Sequence, residues 1–416
     1  MENIVLIFPG QGSQYVGMGR ELYENFDTVR DTFEEANDVL GFDIKRMCFQ
    51  GNMEELTMTH NTQPSLLTVS VAMFGVYMNI FGVAPAYLAG HSLGEISALT
   101  CCGAIKFDDA LRIVRQRGIF MQEAALQGTG AMLAITGIDM DSVKEECQKV
   151  NMETEVASIA CYNSPKQIVI SGHISALKKA ENSLAQRGAR VTPLKVSAPF
   201  HCAMMQPAAD KLNEELKKYK YSALAWPVVS NVSATPYKSK DQIIEYLTQQ
   251  MTYPVRWHES MEYVIEHGGE AAVEIGPGEI LGNLLKNNFK NFNTYSFDRN
   301  EDRERLKGII TSNTKRECES KIMLMAKCLA IAVCVRNRNW NNENYQKGVV
   351  EPYERIKRLY EEIMALEKEP SINEVREALD MLKSVFITKN VPVYEQEQRI
   401  EQIRLLSKEA GVDRLL

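Results

Sequence analysis

Along the first hundred residues, short unbroken apolar runs alternate with longer segments in which apolar residues recur every three or four positions. Residues 3–8 and 86–89 read as buried strands, and residues 21–37 and 63–81 as helices. Strands alternating with helices predict a parallel sheet covered on both faces. Between 129 and 196 the rhythm changes to strand 130–136, helix 141–150, strands 155–161 and 167–172, helix 175–187 and strand 189–195. The order β-α-β-β-α-β is that of a ferredoxin-like unit, here inserted into the larger one. The α/β rhythm then resumes with helix 205–218, strand 227–232, helices 241–251 and 257–267, and strand 271–275. Gly276-Pro277-Gly278 turns the chain into a further helix.

Beyond about residue 314 the strand-like runs stop, and amphipathic stretches at 353–367 and 372–386 predict helices. The expected organisation is an α/β unit formed by 1–128 and 197–314, a ferredoxin-like unit at 129–196 and a helical C-terminal extension at 315–416.

Composition narrows the class. Over 416 residues, 45% are apolar and 24% charged, which sets aside disordered, collagen-like and disulfide-scaffold chains. With 47 Lys and Arg against 54 Asp and Glu the net charge is −7, which opposes attraction to a phosphate backbone, so nucleic acid is not an expected partner. Residues 316–416 carry 17 charges of each sign, so the whole acidic excess lies earlier. Nine cysteines, an odd number with no C-x-x-C spacing, fit reduced thiols in the cytoplasm and no metal site. The N-terminus lacks a basic region followed by a long apolar run, so no signal peptide is expected. Residues 322–335 form the most apolar stretch, but Lys327 interrupts it and it is too short to span about 30 Å of hydrocarbon. No membrane association is expected.

The sharpest chemical signal is Gly90-His91-Ser92-Leu93-Gly94, directly after the strand-like Tyr87-Leu88-Ala89 and before a helical run. A G-x-S-x-G between strand and helix forms a tight elbow that presents the serine hydroxyl at a helix N-terminus, where the Leu93 N–H can stabilise an oxyanion. A plain helix N-cap serine is the competing reading. Among six histidines, His201 follows the strand that closes the inserted unit and precedes a helix, which puts it on a junction loop. Arg117 shares a helical stripe with Ile113, Val114, Phe120 and Met121, so its guanidinium points inward and needs an anion. That anion is either a structural carboxylate or a carboxylate-bearing substrate held in two-pronged fashion. Pro9-Gly10-Gln11-Gly12-Ser13-Gln14 lacks the third glycine and the acidic partner of a dinucleotide fingerprint, so its glycines would instead let the Gln11 N–H complete an oxyanion hole.

These pieces occur together with Thr62-Gln63-Pro64, Gln116-Arg117-Gly118, Asn163-Ser164-Pro165, Pro199-Phe200-His201, Ser230-Asn231-Val232, Pro254-Val255-Arg256-Trp257 and Glu274-Ile275-Gly276-Pro277-Gly278. In this order, over about residues 1–300, the set resembles malonyl-CoA:acyl carrier protein transacylases. The resemblance implies an α/β-hydrolase-like large domain with a ferredoxin-like insertion and the site between them. It also implies Ser92 as nucleophile, His201 as base, Gln11 and Leu93 as oxyanion hole, and Arg117 as clamp for a malonyl carboxylate. Gln250 corresponds to the position whose backbone carbonyl orients the histidine. Gln63, Asn163 and Asn231 fall in the pocket or just behind it, and Phe200 matches the malonyl-type pattern in which a bulky ring leaves no room for an α-methyl group.

The implied substrate is malonyl-CoA with no bound cofactor, and the implied partner is an acyl carrier protein in fatty acid or polyketide biosynthesis. Docking of an acidic carrier protein requires a local basic patch, and Lys178, Lys179, Arg187, Arg190 and Lys195 form the clearest one in the inserted unit. Residues 387–396 resemble an appendage of discrete acyltransferases that serve polyketide synthases. Two other readings keep the same residues: a hydrolase of carrier-protein thioesters, which has no use for Arg117, and a catalytically idle docking subunit of a megasynthase.

Overall fold

The computed structural model describes residues 3–416 apart from 126–127, 152–154, 195, 197, 314–316, 411, 413–414 and 416. Its strands, in chain order, are β1 (Ile4–Phe8), β2 (Tyr87–Gly90), β3 (Gly130–Thr136), β4 (Ala157–Ser164), β5 (Gln167–His173), β6 (Arg190–Pro193), β7 (Val228–Val229), β8 (Ala271–Glu274) and β9 (Asn293–Ser296). Five of them form a parallel sheet in the order β7-β2-β1-β8-β9. All five residues of β1 are buried, as befits a central strand covered on both faces. The register pairs Phe8 with Gly90, so the loops leaving the carboxyl ends of β1 and β2 emerge side by side. Ligand sites of parallel sheets form at such ends.

Strands β3 to β6 make a separate antiparallel sheet ordered β4-β5-β3-β6, the arrangement a ferredoxin-like βαββαβ unit produces. It has its own apolar core, in which Ile135, Val143, Ile168, Ile170 and Leu177 meet the helices Met140–Val150 and Ile174–Gln186. The C-terminal helices Glu317–Cys334, Glu351–Ala365, Ile372–Thr388 and Val393–Glu409 instead share one continuous core with the parallel sheet. Lys327, in the most apolar stretch of the chain, buries its ammonium against the carbonyls of Asn79 (2.7 Å) and Gln402 (3.1 Å). Burial pulls that amine down to about 8. Among the described residues no helix is long and apolar enough to cross a membrane.

Some elements differ from the sequence expectation for local reasons. The helix expected at 21–37 is two, Arg20–Asn25 and Asp27–Leu40, because Phe26 is extended (φ −131°, ψ 123°). Arg30 makes the break tolerable by donating to the freed carbonyls of Tyr23 (2.7 Å) and Glu24 (3.1 Å). The helix expected from residue 63 starts at Thr59 and contains Pro64. A proline there leaves the His60 carbonyl without its helical donor, and Arg115 supplies one at 2.6 Å. The strand expected at 227–232 pairs only over Val228–Val229, and the next residues turn, with Ala234 N–H bonding Ser230 O at 2.9 Å. Strand β9 has no counterpart in the sequence reading, since Asn-Thr-Tyr-Ser carries no apolar run.

Candidate active site

Strand β2 ends at Gly90 and the next helix begins at Leu93, so only two residues make the turn. A Cβ on Gly90 would lie 1.9 Å from the Gly94 carbonyl carbon, and one on Gly94 would lie 2.0 Å from Phe8 O, which explains both glycines. Ser92 takes the strain of the turn with φ 53° and ψ −106°, a conformation few non-glycine residues adopt. Asn231, just beyond the neighbouring strand β7, clamps it: its Oδ1 accepts the Ser92 N–H (2.7 Å) and its Nδ2 donates to Gly90 O (2.6 Å).

His201 also has a positive φ, 60°, and is buried. Its Nδ1 lies 2.7 Å from the Gln250 carbonyl, which only accepts, so Nδ1 carries the proton and Nε2 is the acceptor. The Ser92 hydroxyl, 2.9 Å from Nε2, therefore donates to it. Burial first, and the Arg117 cation second, push His201 down to about 3, so the ring is neutral and ready to take a proton.

Arg117 is 1% exposed, and its Nη1 donates to Gln63 Oε1 at 2.9 Å. Its Nη2 donates both to Gln250 Oε1 (2.9 Å) and to Ser92 Oγ (3.1 Å). Burial lowers the guanidinium to about 10, with the negative charge of Glu95 opposing that shift. At neutral pH it remains a cation whose Nε has no partner among the described residues. Such a group, next to a nucleophilic hydroxyl, can bind a carboxylate that reaches the serine.

These residues open onto a cavity of about 270 Å³ between the two sheets, lined by Gln11, Gln63, Leu93, Asn163 and Phe200 together with Ser92, Arg117 and His201. A Cβ on Gly10 would come 2.5 Å from His91 O, so the Gln11 loop lies directly against the elbow. The Gln11 and Leu93 backbone N–H groups have no hydrogen-bond partner among the described residues, whereas that of Ser92 is taken by Asn231. Asn163 Oδ1 accepts from His91 Nε2 at 2.9 Å, so that ring nitrogen carries the proton. Two participants had no role assigned from the sequence, Glu95, which closes the elbow motif, and Tyr237; contacts across more than a hundred residues reveal what they do.

The basic cluster of the inserted unit is partly neutralised. Lys179 pairs with Glu155 (3.1 Å), and Arg187 with Glu145 (3.5 Å) and Glu146 (3.2 Å). Lys178 and Arg190 are exposed and have no ion-pair partner among the described residues, while Lys195 lies outside the described residues. Among the described residues no cluster of three or more His, Cys, Asp or Glu is arranged to hold a metal ion.

Comparison with known proteins agrees with this geometry. The acyl transferase domain family matches residues 5–330. A malonyl CoA-acyl carrier protein transacylase of Bacillus subtilis is 37% identical over 403 residues, covering 95% of this chain and 99% of the relative. The enzyme of that name from Escherichia coli K12 is 47% identical over 287 residues, 69% of this chain and 93% of the relative. The chain belongs to the malonyl-CoA:acyl carrier protein transacylase family. Among solved structures, FabD from Acinetobacter baumannii superposes with a TM-score of 0.72 at 39% identity, over 75% of this chain and 99% of that one. The complex of PlMCAT with AntF, a type II polyketide synthase acyl-carrier protein, gives a TM-score of 0.72 at 41% identity over 74% of this chain and 99% of that one. These two structures and the E. coli transacylase match about three quarters of this chain or less, whereas the Bacillus relative matches nearly all of it.

Proposed function

We propose that this protein moves malonyl groups from CoA to the phosphopantetheine thiol of an acyl carrier protein through a malonyl-serine intermediate. The reading rests on one constellation: Ser92 Oγ 2.9 Å from His201 Nε2 and 3.1 Å from Arg117 Nη2, at a buried cavity. With the malonyl carboxylate on Arg117, His201 Nε2 takes the Ser92 proton as Oγ attacks the thioester carbonyl. The N–H groups of Gln11 and Leu93 receive the oxyanion, and the proton passes from His201 to the departing CoA sulfur. The carrier-protein thiol then gives its proton to His201, attacks the serine ester and leaves as malonyl thioester, with Ser92 reprotonated. Gln250 orients the ring through its carbonyl, in the place where a triad would have an acid. Asn231 holds the elbow, Gln63 and Asn163 shape the pocket, and Phe200 narrows it against an α-methyl group.

The protein carries out this reaction in the cytoplasm without a bound cofactor, within polyketide or fatty acid biosynthesis, and the carrier protein docks on the basic face of the inserted unit. The units 1–128 with 197–314, 129–196 and 315–416 are the acyltransferase body, a ferredoxin-like insertion and a helical extension. A thioester hydrolase would gain nothing from the buried cation at Arg117, and an idle docking subunit would gain nothing from a strained, hydrogen-bonded serine.

Intact-mass analysis after mixing with malonyl-, methylmalonyl- and acetyl-CoA is the direct test. A malonyl adduct that forms on the native protein, is lost in Ser92→Ala and is discharged by holo carrier protein is expected. Equal labelling of the Ser92→Ala variant would refute the mechanism, and discharge to free malonate regardless of carrier protein would favour the hydrolase.

A further inference from the structure

Glu95 lies three residues beyond Ser92, has no exposed surface, and has no Lys or Arg within ion-pair distance among the described residues. A buried carboxylate survives only where hydrogen bonds replace its water. Here donors do so: the Tyr237 hydroxyl to Oε1 at 2.5 Å, and Gln250 Nε2 (2.6 Å) and the Asn231 backbone N–H (3.1 Å) to Oε2, with the Ser230 side chain also hydrogen-bonding to the carboxylate. Every contact uses the carboxylate as an acceptor, which a glutamine could not reproduce, because one end of its amide must donate.

The consequence runs through the Gln250 side chain. Its nitrogen is surrounded by acceptors, since Ser92 O (3.1 Å) and Asn231 Oδ1 (3.3 Å) flank Glu95 Oε2. With the nitrogen held there, Gln250 Oε1 faces Arg117 Nη2 at 2.9 Å. The reversed amide would set one donor against another and leave the guanidinium without its acceptor. The Glu95 side chain thus reaches neither the Ser92 hydroxyl nor the substrate cavity, yet it dictates which end of an amide the arginine meets.

We propose that Glu95, held by Tyr237, is a positioning residue that fixes the polarity of the Gln250 amide and thereby aims Arg117 at the carboxylate of the acyl group. Selectivity for a charged acyl-CoA then depends on a residue that the substrate never contacts. The inference rests on the malonyl reading above and deepens it. A role confined to folding would lower the turnover of every acyl-CoA alike, whereas a role in aiming Arg117 falls on malonyl-CoA alone.

The test compares kcat/KM for malonyl-CoA and acetyl-CoA in the native protein, Glu95→Gln and Tyr237→Phe. In Glu95→Gln the malonyl to acetyl ratio is expected to fall about tenfold or more, the scale of a misaligned charge-assisted contact. Tyr237→Phe, which removes one donor and a single oxygen, is expected to move the ratio in the same direction by about threefold. A ratio that stays the same or rises in Glu95→Gln overturns the proposal, and if that variant does not fold, the ratio in Tyr237→Phe decides by the same criterion. A native protein with no preference for malonyl-CoA would refute the malonyl reading itself.

Discussion

Replacing Arg117 by alanine separates the two anions that the sequence alone could not distinguish. The native guanidinium is 1% exposed and spends its hydrogen bonds on Gln63, Gln250 and Ser92, with no carboxylate in ion-pair contact. A desolvated pair between arginine and an incoming carboxylate is worth about 2–5 kcal/mol, which at about 1.4 kcal/mol per decade corresponds to a loss of about 30-fold to a few thousand-fold in kcat/KM for malonyl-CoA. Acetyl-CoA makes no such pair, so its loading is expected to hold or rise. The variant also leaves the Gln63 and Gln250 carbonyl oxygens without their donor. At about 1–3 kcal/mol for each buried group, a measurable drop in Tm accompanies the change in selectivity. A third effect has a defined sign: Arg117 is, after burial, the main cause that holds His201 near 3, so its removal raises the histidine toward its ordinary range. The acid limb of the acetyl-loading rate should then move to higher pH than in the native protein. Single-turnover loading followed by mass spectrometry across pH measures both quantities. An unchanged malonyl to acetyl ratio would make Arg117 a structural residue and remove the basis of the substrate assignment.

Other outcomes follow from the same contacts. His201 is held well below its ordinary 6.5, so the unfolded chain binds a proton that the folded one refuses. Its effect on stability is absent above 6.5, and stability falls as pH drops from 6.5 toward about 3. His201→Asn should therefore lose about 2 kcal/mol less than the native protein between pH 6.5 and about pH 5, measured by urea unfolding; identical pH dependence would refute the buried neutral ring. Deleting residues 317–416 uncovers the helix Thr59–Ile80, which the helix Glu317–Cys334 packs against, and leaves the Lys327 sites at Asn79 empty. Dye binding to exposed apolar surface and a lower Tm are expected, and a deletion variant with the native Tm would make the extension dispensable for folding. Lys178→Glu with Arg190→Glu should raise KM for the carrier protein, more so at low salt, and leave self-malonylation intact. Equal carrier-protein kinetics would move the docking surface elsewhere.

Much of the molecule is legible from neighbours in sequence. Strand β3 begins and ends where alternation and turn residues predict, because its limits depend on local pattern and on Gly130. The elbow is equally local: two glycines four residues apart around a serine permit one close-packed turn. The stripe that turns Arg117 inward is a property of helical periodicity, whatever packs against it. Where a side chain reaches back across a break or over from another element, pattern failed. The break at Phe26 depends on Arg30 reaching back to two carbonyls, and the start at Thr59 on Arg115 of another helix.

The linear chain already spells out the parts: alternating elements, an inserted βαββαβ unit, a serine elbow, a histidine at a junction and an inward arginine. Each follows from forces acting within about one helical turn or one strand, which a linear pattern records. The three-dimensional packing of the chain sets how the parts act on one another. It set Ser92 and His201 2.9 Å apart across 109 positions, and it holds the imidazole proton on Nδ1 in a hydrogen bond to the Gln250 carbonyl. It also buried Glu95 behind the arginine, where its charge works through an amide 155 positions away. Hydrogen bonds of this kind require chain segments that meet only after the two sheets have formed and packed, and burial gives them their strength by removing competing water.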